Sequence, residues 1–240
     1  MTKLTAQHFA PGRASQTGWI QIGPSGEHVL VIDDMLAEPG HLRDHACREA
    51  QFSAADTNGQ GYPGLRAPLP TAYARAMLNR LDPLIREKFA LAERRIDRFN
   101  CGLSMVTRAR DALHPLQRVP HIDIARNHRI AILHYLFDRP YGGTAFYRQE
   151  ATGLERVGTA DKQRYLDQRE QDIALLEPHH SYPDADTPGY SRLLVVPARM
   201  NRVIIYRSCV LHSGVIMPAP ELTDNPETGR LTANFFVDYA

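Results

Sequence analysis

Pro120-His121-Ile122-Asp123, followed after a short polar stretch by Arg129-Ile130-Ala131-Ile132-Leu133-His134-Tyr135-Leu136-Phe137, is the part of the sequence that decides the fold. In an extended strand residues i and i+2 share a face, so His121 and Asp123 are expected to project together while Ile122 turns into the other layer. An imidazole and a carboxylate side by side suit a divalent transition metal. A third ligand from a distant strand would complete a two-histidine, one-carboxylate face that leaves coordination positions open. A His-x-Asp triplet alone is a weak signal. Its weight comes from its place, after Pro120 on an expected strand and before the strongest apolar strand in the chain.

Outward from this pair, the chain beyond Ile96 consists of short apolar runs bounded by Pro and Gly, the pattern of an all-β sandwich or barrel. The expected strands are Arg98 to Thr107, Pro120 to Ala125, Arg129 to Phe137, Gly143 to Arg148, Ser191 to Pro197, Arg202 to Ser208, His212 to Met217 and Arg230 to Tyr239. Between the fourth and fifth lies a polar segment rich in Gln and Arg, Thr159 to Glu177, with Tyr165, Leu166, Ile173 and Leu176 as apolar anchors; it reads as an inserted surface helix. Upstream, the first ordered element is expected at Glu27 to Leu36, around the apolar run His28 to Ile32. Pro39 suits the first turn of a helix through Leu42, Ala46 and Ala50. The Gly- and Pro-rich residues 54–70 oppose helix and interior strand and read as a long loop. Ala72 to Ala90 has helical spacing of apolar residues, with one face against a larger body. The fold class is therefore mainly β with flanking helices (α+β), in a single domain over residues 1–240. Residues 27–92 form an N-terminal strand with supporting helices, and residues 96–239 form the β core with the insert at 159–177.

Composition narrows the partners. With 28 Lys plus Arg against 27 Asp plus Glu, the 240-residue chain has no global field to draw in nucleic acid or an acidic membrane. No segment approaches the roughly 20 apolar residues that span a bilayer, and Met1 to Trp19 lacks a signal-peptide core. The three cysteines, Cys47, Cys101 and Cys209, have no paired spacing and read as free thiols in a cytoplasmic protein. Oligomeric state is left open.

The order of five short motifs carries a resemblance: Pro120-His-Ile-Asp123, Ile132-Leu-His-Tyr-Leu136, Gly142-Gly-Thr-Ala-Phe146, Leu211-His-Ser-Gly214 and Arg230-Leu-Thr232. Over roughly residues 29–239 the chain resembles the iron and 2-oxoglutarate dependent oxygenases of the prolyl-hydroxylase type. Within that superfamily it looks closest to a poorly characterised bacterial group with the run Gly142 to Arg148. The resemblance implies a double-stranded β-helix (jelly roll, cupin-like) that binds Fe(II) and 2-oxoglutarate and hydroxylates a small molecule or protein residue, with succinate and CO2 as coproducts.

Carried over residue by residue, the resemblance makes His121, Asp123 and His212 the metal ligands. Arg230 would pair with the far carboxylate of 2-oxoglutarate, for which a planar guanidinium fork is suited. Thr232 would add a hydroxyl contact, and Tyr135 matches the tyrosine that reaches the same carboxylate in some of these enzymes. His134 stands where relatives usually have an apolar residue, and a Pro-rich loop, Pro218 to Gly229, separates His212 from Arg230.

Plainer readings stand beside each of these. A lone histidine such as His212 is often a satisfied core residue, Arg230 taken singly is a surface charge, and Tyr135 suits a strand core. His179-His180 is an alternative ligand source in a Pro-flanked loop, whereas His114 and His128 read as surface residues. Tyr62 and Arg66, an aromatic and a cation among turn formers, are candidates for the substrate mouth as much as for a solvated connector. Two rival classes remain open at this stage: a cupin-type metalloenzyme that does not use 2-oxoglutarate, and a non-catalytic jelly-roll binding protein.

Overall fold

The computed structural model describes residues 4–12, 17–55, 61–177, 180–217 and 221–240. The chain is mainly antiparallel β with three α-helices, α1 at Gly40–Arg48, α2 at Thr71–Lys88 and α3 at Lys162–Ala174. The strands are β1 (Thr17–Gln21), β2 (His28–Ile32), β3 (Ser53–Ala54), β4 (Gly64–Ala67), β5 (Ile96–Val106), β6 (Arg129–Tyr135), β7 (Thr144–Gln149), β8 (Tyr190–Val196), β9 (Val203–Arg207), β10 (His212–Gly214) and β11 (Arg230–Tyr239). They form an eight-stranded sheet in the order β1-β2-β9-β6-β11-β5-β4-β3 and a three-stranded sheet in the order β10-β7-β8. Among the described residues no helix is long and apolar enough to cross a membrane.

The period-two rule sorts the large sheet into two cores. Leu30, Ile132, Ile205, Leu231 and Phe235 face α1 and α2, where they meet Leu42, Tyr73, Met77, Leu81 and Ile85. The alternate residues Val31, Ala131, Tyr135, Ile204 and Tyr206 face the small sheet and meet Phe146 and Val196. On β11 this alternation leaves Arg230, Thr232, Asn234 and Phe236 on the small-sheet side, all lining one cavity. The outer face of the small sheet is covered by α3, whose Tyr165 packs with Tyr147, Tyr190 and Leu211. Asp238 at the far end of β11 takes Arg129 of β6 at 2.6 Å and Arg98 of β5 at 2.9 Å, which ties the three central strands together by charge.

Four expectations need correction. The first ordered element is not the strand at Glu27 to Leu36: a 3-10 turn at Ala6–Phe9 and β1 precede it. Residues 54–70 are not simply a loop, because β4 pairs with β5 there and β3 pairs with β4. Gly64, read as a breaker, is what permits the pairing, since a Cβ there would lie 1.9 Å from the Met105 carbonyl oxygen. Pro120 to Ala125 is not a strand. Pro120 has no N–H to offer a ladder, and after one bridge at His121 the N–H groups of Asp123 and Ile124 both turn to the Ser208 carbonyl. The strand expected at His212 to Met217 ends at Gly214. The first three residues of the loop expected between it and β11 lie outside the described residues.

His134, the polar residue in an apolar strand, is fully buried. Its Nδ1 meets the Tyr73 hydroxyl at 2.7 Å and its Nε2 meets Asn201 Oδ1 at 3.2 Å. Asn201 Oδ1 also accepts the Leu36 N–H, while its Nδ2 donates to the Leu36 carbonyl. An oxygen that accepts twice requires Nε2–H to donate, so Nδ1 accepts from Tyr73 and the imidazole is neutral. Burial holds its pKa down at about 4.

A histidine kept neutral in the fold but free to protonate when unfolded stabilises fully above its unfolded pKa near 6.5 and progressively less toward pH 4. In metal-free protein this residue should contribute a loss of roughly 3 kcal/mol over that interval. His134→Gln, followed by denaturant unfolding at successive pH values, should show a shallower acid slope than the parent; identical slopes would assign the acid sensitivity elsewhere.

Candidate metal centre

His121 and His212 lie directly opposite one another in an isolated antiparallel bridge and exchange both backbone hydrogen bonds, each at 2.9 Å. Such a pair puts the two side chains on the same face. Two residues on, the Asp123 N–H is fixed to the Ser208 carbonyl at 2.9 Å, which brings its carboxylate under both rings. The Nε2 atoms stand 4.0 Å (His121) and 3.8 Å (His212) from Asp123 Oδ1, and one donor atom from each of the three residues lies within 4.8 Å of the others. Among the described residues this is the one such cluster of three. The expected ligands are thus brought together, although by a bridge and a turn rather than by one regular strand.

The electrostatics of the cluster suit a cation. His212 Nδ1 lies 2.8 Å from the Val210 carbonyl, which fixes the proton on Nδ1 and leaves the Nε2 lone pair facing the cluster. The His121 pKa is lowered by burial, by His212 and by Arg169, so this ring is held neutral. Burial pushes the Asp123 pKa up, and its Oδ2 is buried with no hydrogen-bond partner. A buried carboxylate oxygen left unsatisfied beside two imidazoles is costly unless something positive occupies the space they share. Tyr206 backs the arrangement, with its ring edge-on to His212 at 4.8 Å.

The cluster opens into a cavity of about 390 Å³ between the two sheets. Arg230 and Thr232 line it, as expected. Arg230 is 4% exposed; its Nη2 donates to the Gly143 carbonyl at 2.9 Å, and its Nε is buried without a partner. The glycine pair of the Gly142 to Arg148 run makes this contact possible. A Cβ at Gly142, where φ is +88°, would lie 2.1 Å from the Val215 carbonyl oxygen, and one at Gly143 would lie 2.1 Å from that of Val196. Tyr135 stands one layer back: its hydroxyl meets Thr144 Oγ1 at 2.8 Å, and it is Thr144 that lines the cavity.

Tyr62 and Arg66 also line the cavity, with the Arg66 guanidinium over the Tyr62 ring at 5.1 Å. Sequence reasoning missed Arg169, Tyr182 and Asn234, which share the same walls. Arg169 belongs to α3, whose polar composition gave no sign that one of its cations turns inward. Of the histidines read as surface residues, His128 is exposed and His114 caps a 3-10 turn by accepting the Leu116 N–H. His179 lies outside the described residues.

A family model described as "Family of unknown function (DUF6445)" matches residues 13–237. No curated protein matches the chain. Among solved structures, the chain is similar to HygX from Streptomyces hygroscopicus with nickel, 2-oxoglutarate and hygromycin B bound, at 16% identity over 88% of this chain and 82% of that one, with a TM-score of 0.48. It is similar to SnoN, a non-heme alpha-ketoglutarate dependent epimerase from nogalamycin biosynthesis, at 16% identity over 83% and 70%, with a TM-score of 0.36. It is also similar to an N-substituted L-amino acid dioxygenase from Burkholderia ambifaria in complex with alpha-KG, at 10% identity over 90% and 86%, with a TM-score of 0.37.

His212→Ala removes one of three donors and leaves the Asp123 carboxylate facing one imidazole. Anaerobic Fe(II) or Ni(II) retention after dialysis should fall by more than the 10–100-fold typical of losing an outer-shell partner. Far-UV circular dichroism of the variant guards against simple unfolding. Unchanged metal content would remove His212 from the ligand set.

Proposed function

We propose that this chain, which belongs to the DUF6445 family of unknown function, is a non-haem Fe(II) and 2-oxoglutarate dependent dioxygenase that hydroxylates a substrate held in the cavity between its sheets. The observation that carries the reading is the convergence of His121, Asp123 and His212, with an unpartnered buried carboxylate oxygen, at the wall of a cavity that also holds a buried arginine. Two imidazoles and one carboxylate fit a divalent iron and leave positions open for a cosubstrate. The reading takes residues 96–239 as a double-stranded β-helix, with residues 27–92 as its support.

An iron ion in that position, with 2-oxoglutarate and dioxygen, supplies the oxidising power, and succinate and CO2 are the coproducts. The protein's own part is placement and exclusion. Burial keeps His121 neutral, and the Val210 carbonyl holds the His212 proton on Nδ1, so that its Nε2 is the atom turned toward the cluster. Arg230 has five N–H donors, of which one reaches Gly143, and the rest of its fork suits the far carboxylate of 2-oxoglutarate. Thr232, next but one on the same face of β11, donates its hydroxyl to the Ser104 carbonyl at 3.3 Å and would serve the carboxylate by turning that proton toward it. Tyr135 sets the rotamer of Thr144 through the hydroxyl pair and acts on the cosubstrate pocket from behind. A metalloenzyme without the cosubstrate would have no use for a guanidinium 4% exposed and lacking a carboxylate partner among the described residues, since such burial is unfavourable unless an anion repays it.

Adding 2-oxoglutarate to the anaerobic Fe(II) protein should produce a visible metal-to-ligand charge-transfer band. Arg230→Gln should raise the 2-oxoglutarate Kd tenfold or more at unchanged Fe(II) content. The absence of the band in the parent protein would overturn the 2-oxoglutarate assignment, leaving the metal site as a separate question.

A further inference from the structure

The cavity carries more positive charge than the proposed cosubstrate can use. Arg66 from β4, Arg169 from α3 and Arg230 from β11 line it, against a single carboxylate, Asp123. Among the described residues none of the three is paired with a carboxylate, and the Nε of each is buried with no hydrogen-bond partner. A divalent ion with Asp123 amounts to one positive charge, and a 2-oxoglutarate dianion offsets that charge and Arg230. Arg66 and Arg169 remain.

Neither is placed as a surface arginine would be. Both are half-buried, and each guanidinium lies over an aromatic ring, Arg66 over Tyr62 at 5.1 Å and Arg169 over Tyr165 at 5.5 Å. Stacking takes up the guanidinium face and leaves its rim of N–H donors for an in-plane acceptor. The two charges reach the cavity wall from different elements, Arg66 from β4 and Arg169 from α3, and share it with His121 and Asp123. Holding like charges beside a cation site costs stability that ring stacking offsets only in part, and neither arginine ties two elements together by an ion pair among the described residues. An anionic ligand turns that cost into binding energy.

Building on the dioxygenase reading, we propose that Arg66 and Arg169 form an anion subsite that grips the substrate by a carboxylate or phosphate group, so the molecule oxidised is acidic. Tyr62, Leu116, Ile122 and Ile216, which line the same cavity, supply the apolar contacts for its carbon skeleton. The subsite is separate from Arg230 and reads the substrate rather than the cosubstrate.

The test is calorimetric titration of protein loaded with Ni(II) and 2-oxoglutarate, which occupies the metal and Arg230 without turnover. Benzoate and inorganic phosphate are the two anionic probes, and benzamide is the neutral counterpart of the first. At least one anion should bind, more weakly as salt is raised, and benzamide at least tenfold more weakly than benzoate if the carboxylate is the group read. Arg66→Gln and Arg169→Gln should each weaken the anion at least fivefold. Arg66→Lys and Arg169→Lys should recover part of that loss, which a purely structural role would not predict, and the 2-oxoglutarate Kd should stay within twofold in all four. Equal anion binding by parent and double Gln variant, or no anion binding by the parent, overturns the subsite. So does a loss of 2-oxoglutarate affinity in either Gln variant with anion binding intact, because the arginine then serves the cosubstrate. Should the parent bind no 2-oxoglutarate at all, the dioxygenase reading fails by itself. The same anion titration in metal-free Arg230→Gln protein then decides the subsite independently.

Discussion

The two backbone hydrogen bonds exchanged by His121 and His212 are what the site rests on, because the segment that carries His121 and Asp123 belongs to neither sheet. Without that bridge the residues after Pro120 would be a loop between β5 and β6, free to place an imidazole anywhere along the cavity mouth. With it, His121 takes the register of β10, which is itself set by the pairing of His212 with Phe146 on β7. Asp123 then has only the turn toward the Ser208 carbonyl open to it. The position of each donor is thus inherited from main-chain pairing rather than from side-chain packing, which is how a site keeps sub-ångström geometry on what is locally irregular backbone.

Charge is arranged with the same economy. The small sheet and β11 enclose a space in which the two imidazoles are kept neutral or have their tautomer fixed, the one carboxylate keeps an unsatisfied oxygen, and the guanidinium of Arg230 is held by a glycine carbonyl. Elsewhere the chain treats such groups differently. Asp33 is clasped by Arg202 and Arg199, Glu155 by Arg148, and Asp238 by Arg129 and Arg98. Where the fold needs only stability, opposite charges are paired; around the cavity they are left apart. That contrast within one molecule, more than the presence of any single residue, marks the cavity as the place where something else is meant to bind.

Much of this was legible in the sequence because the central strands obey a simple period. β2, β6, β9 and β11 alternate large apolar residues with a second set that faces the small sheet, and the limits of β6, β9 and β11 were found to within two residues, whereas β2 ends four residues before the expected Leu36. The grouping of His121, Asp123 and His212 was visible through the order of motifs, although the geometry first supposed for His121 and Asp123, a shared strand face, was replaced by a bridge and a turn. What stayed hidden had no periodic signal. β1 lies at a sheet edge and is largely exposed, so it lacks an apolar alternation; β4 begins at a glycine that composition alone marks as a breaker. Arg169 sits in a helix whose other cations, Lys162 and Arg164, are exposed, and no pattern distinguishes the one that turns inward. His134 looked like a departure from an expected apolar site and proved to be a fully hydrogen-bonded core group.

The strand order has a kinetic side. β11 follows all the other strands in the chain, yet it lies in the middle of the large sheet, paired with β5 on one flank and β6 on the other. During synthesis, β5 and β6 emerge early and wait with unsatisfied edges until residues far downstream arrive to close the gap between them. Contacts of such long sequence separation fold slowly, and apolar strands with open edges invite pairing with other chains in the interval. The polar insert that carries α3 comes between β7 and β8 and lengthens that wait. The strand that brings Arg230 to the cavity is therefore also the one whose late arrival closes the open edges of β5 and β6.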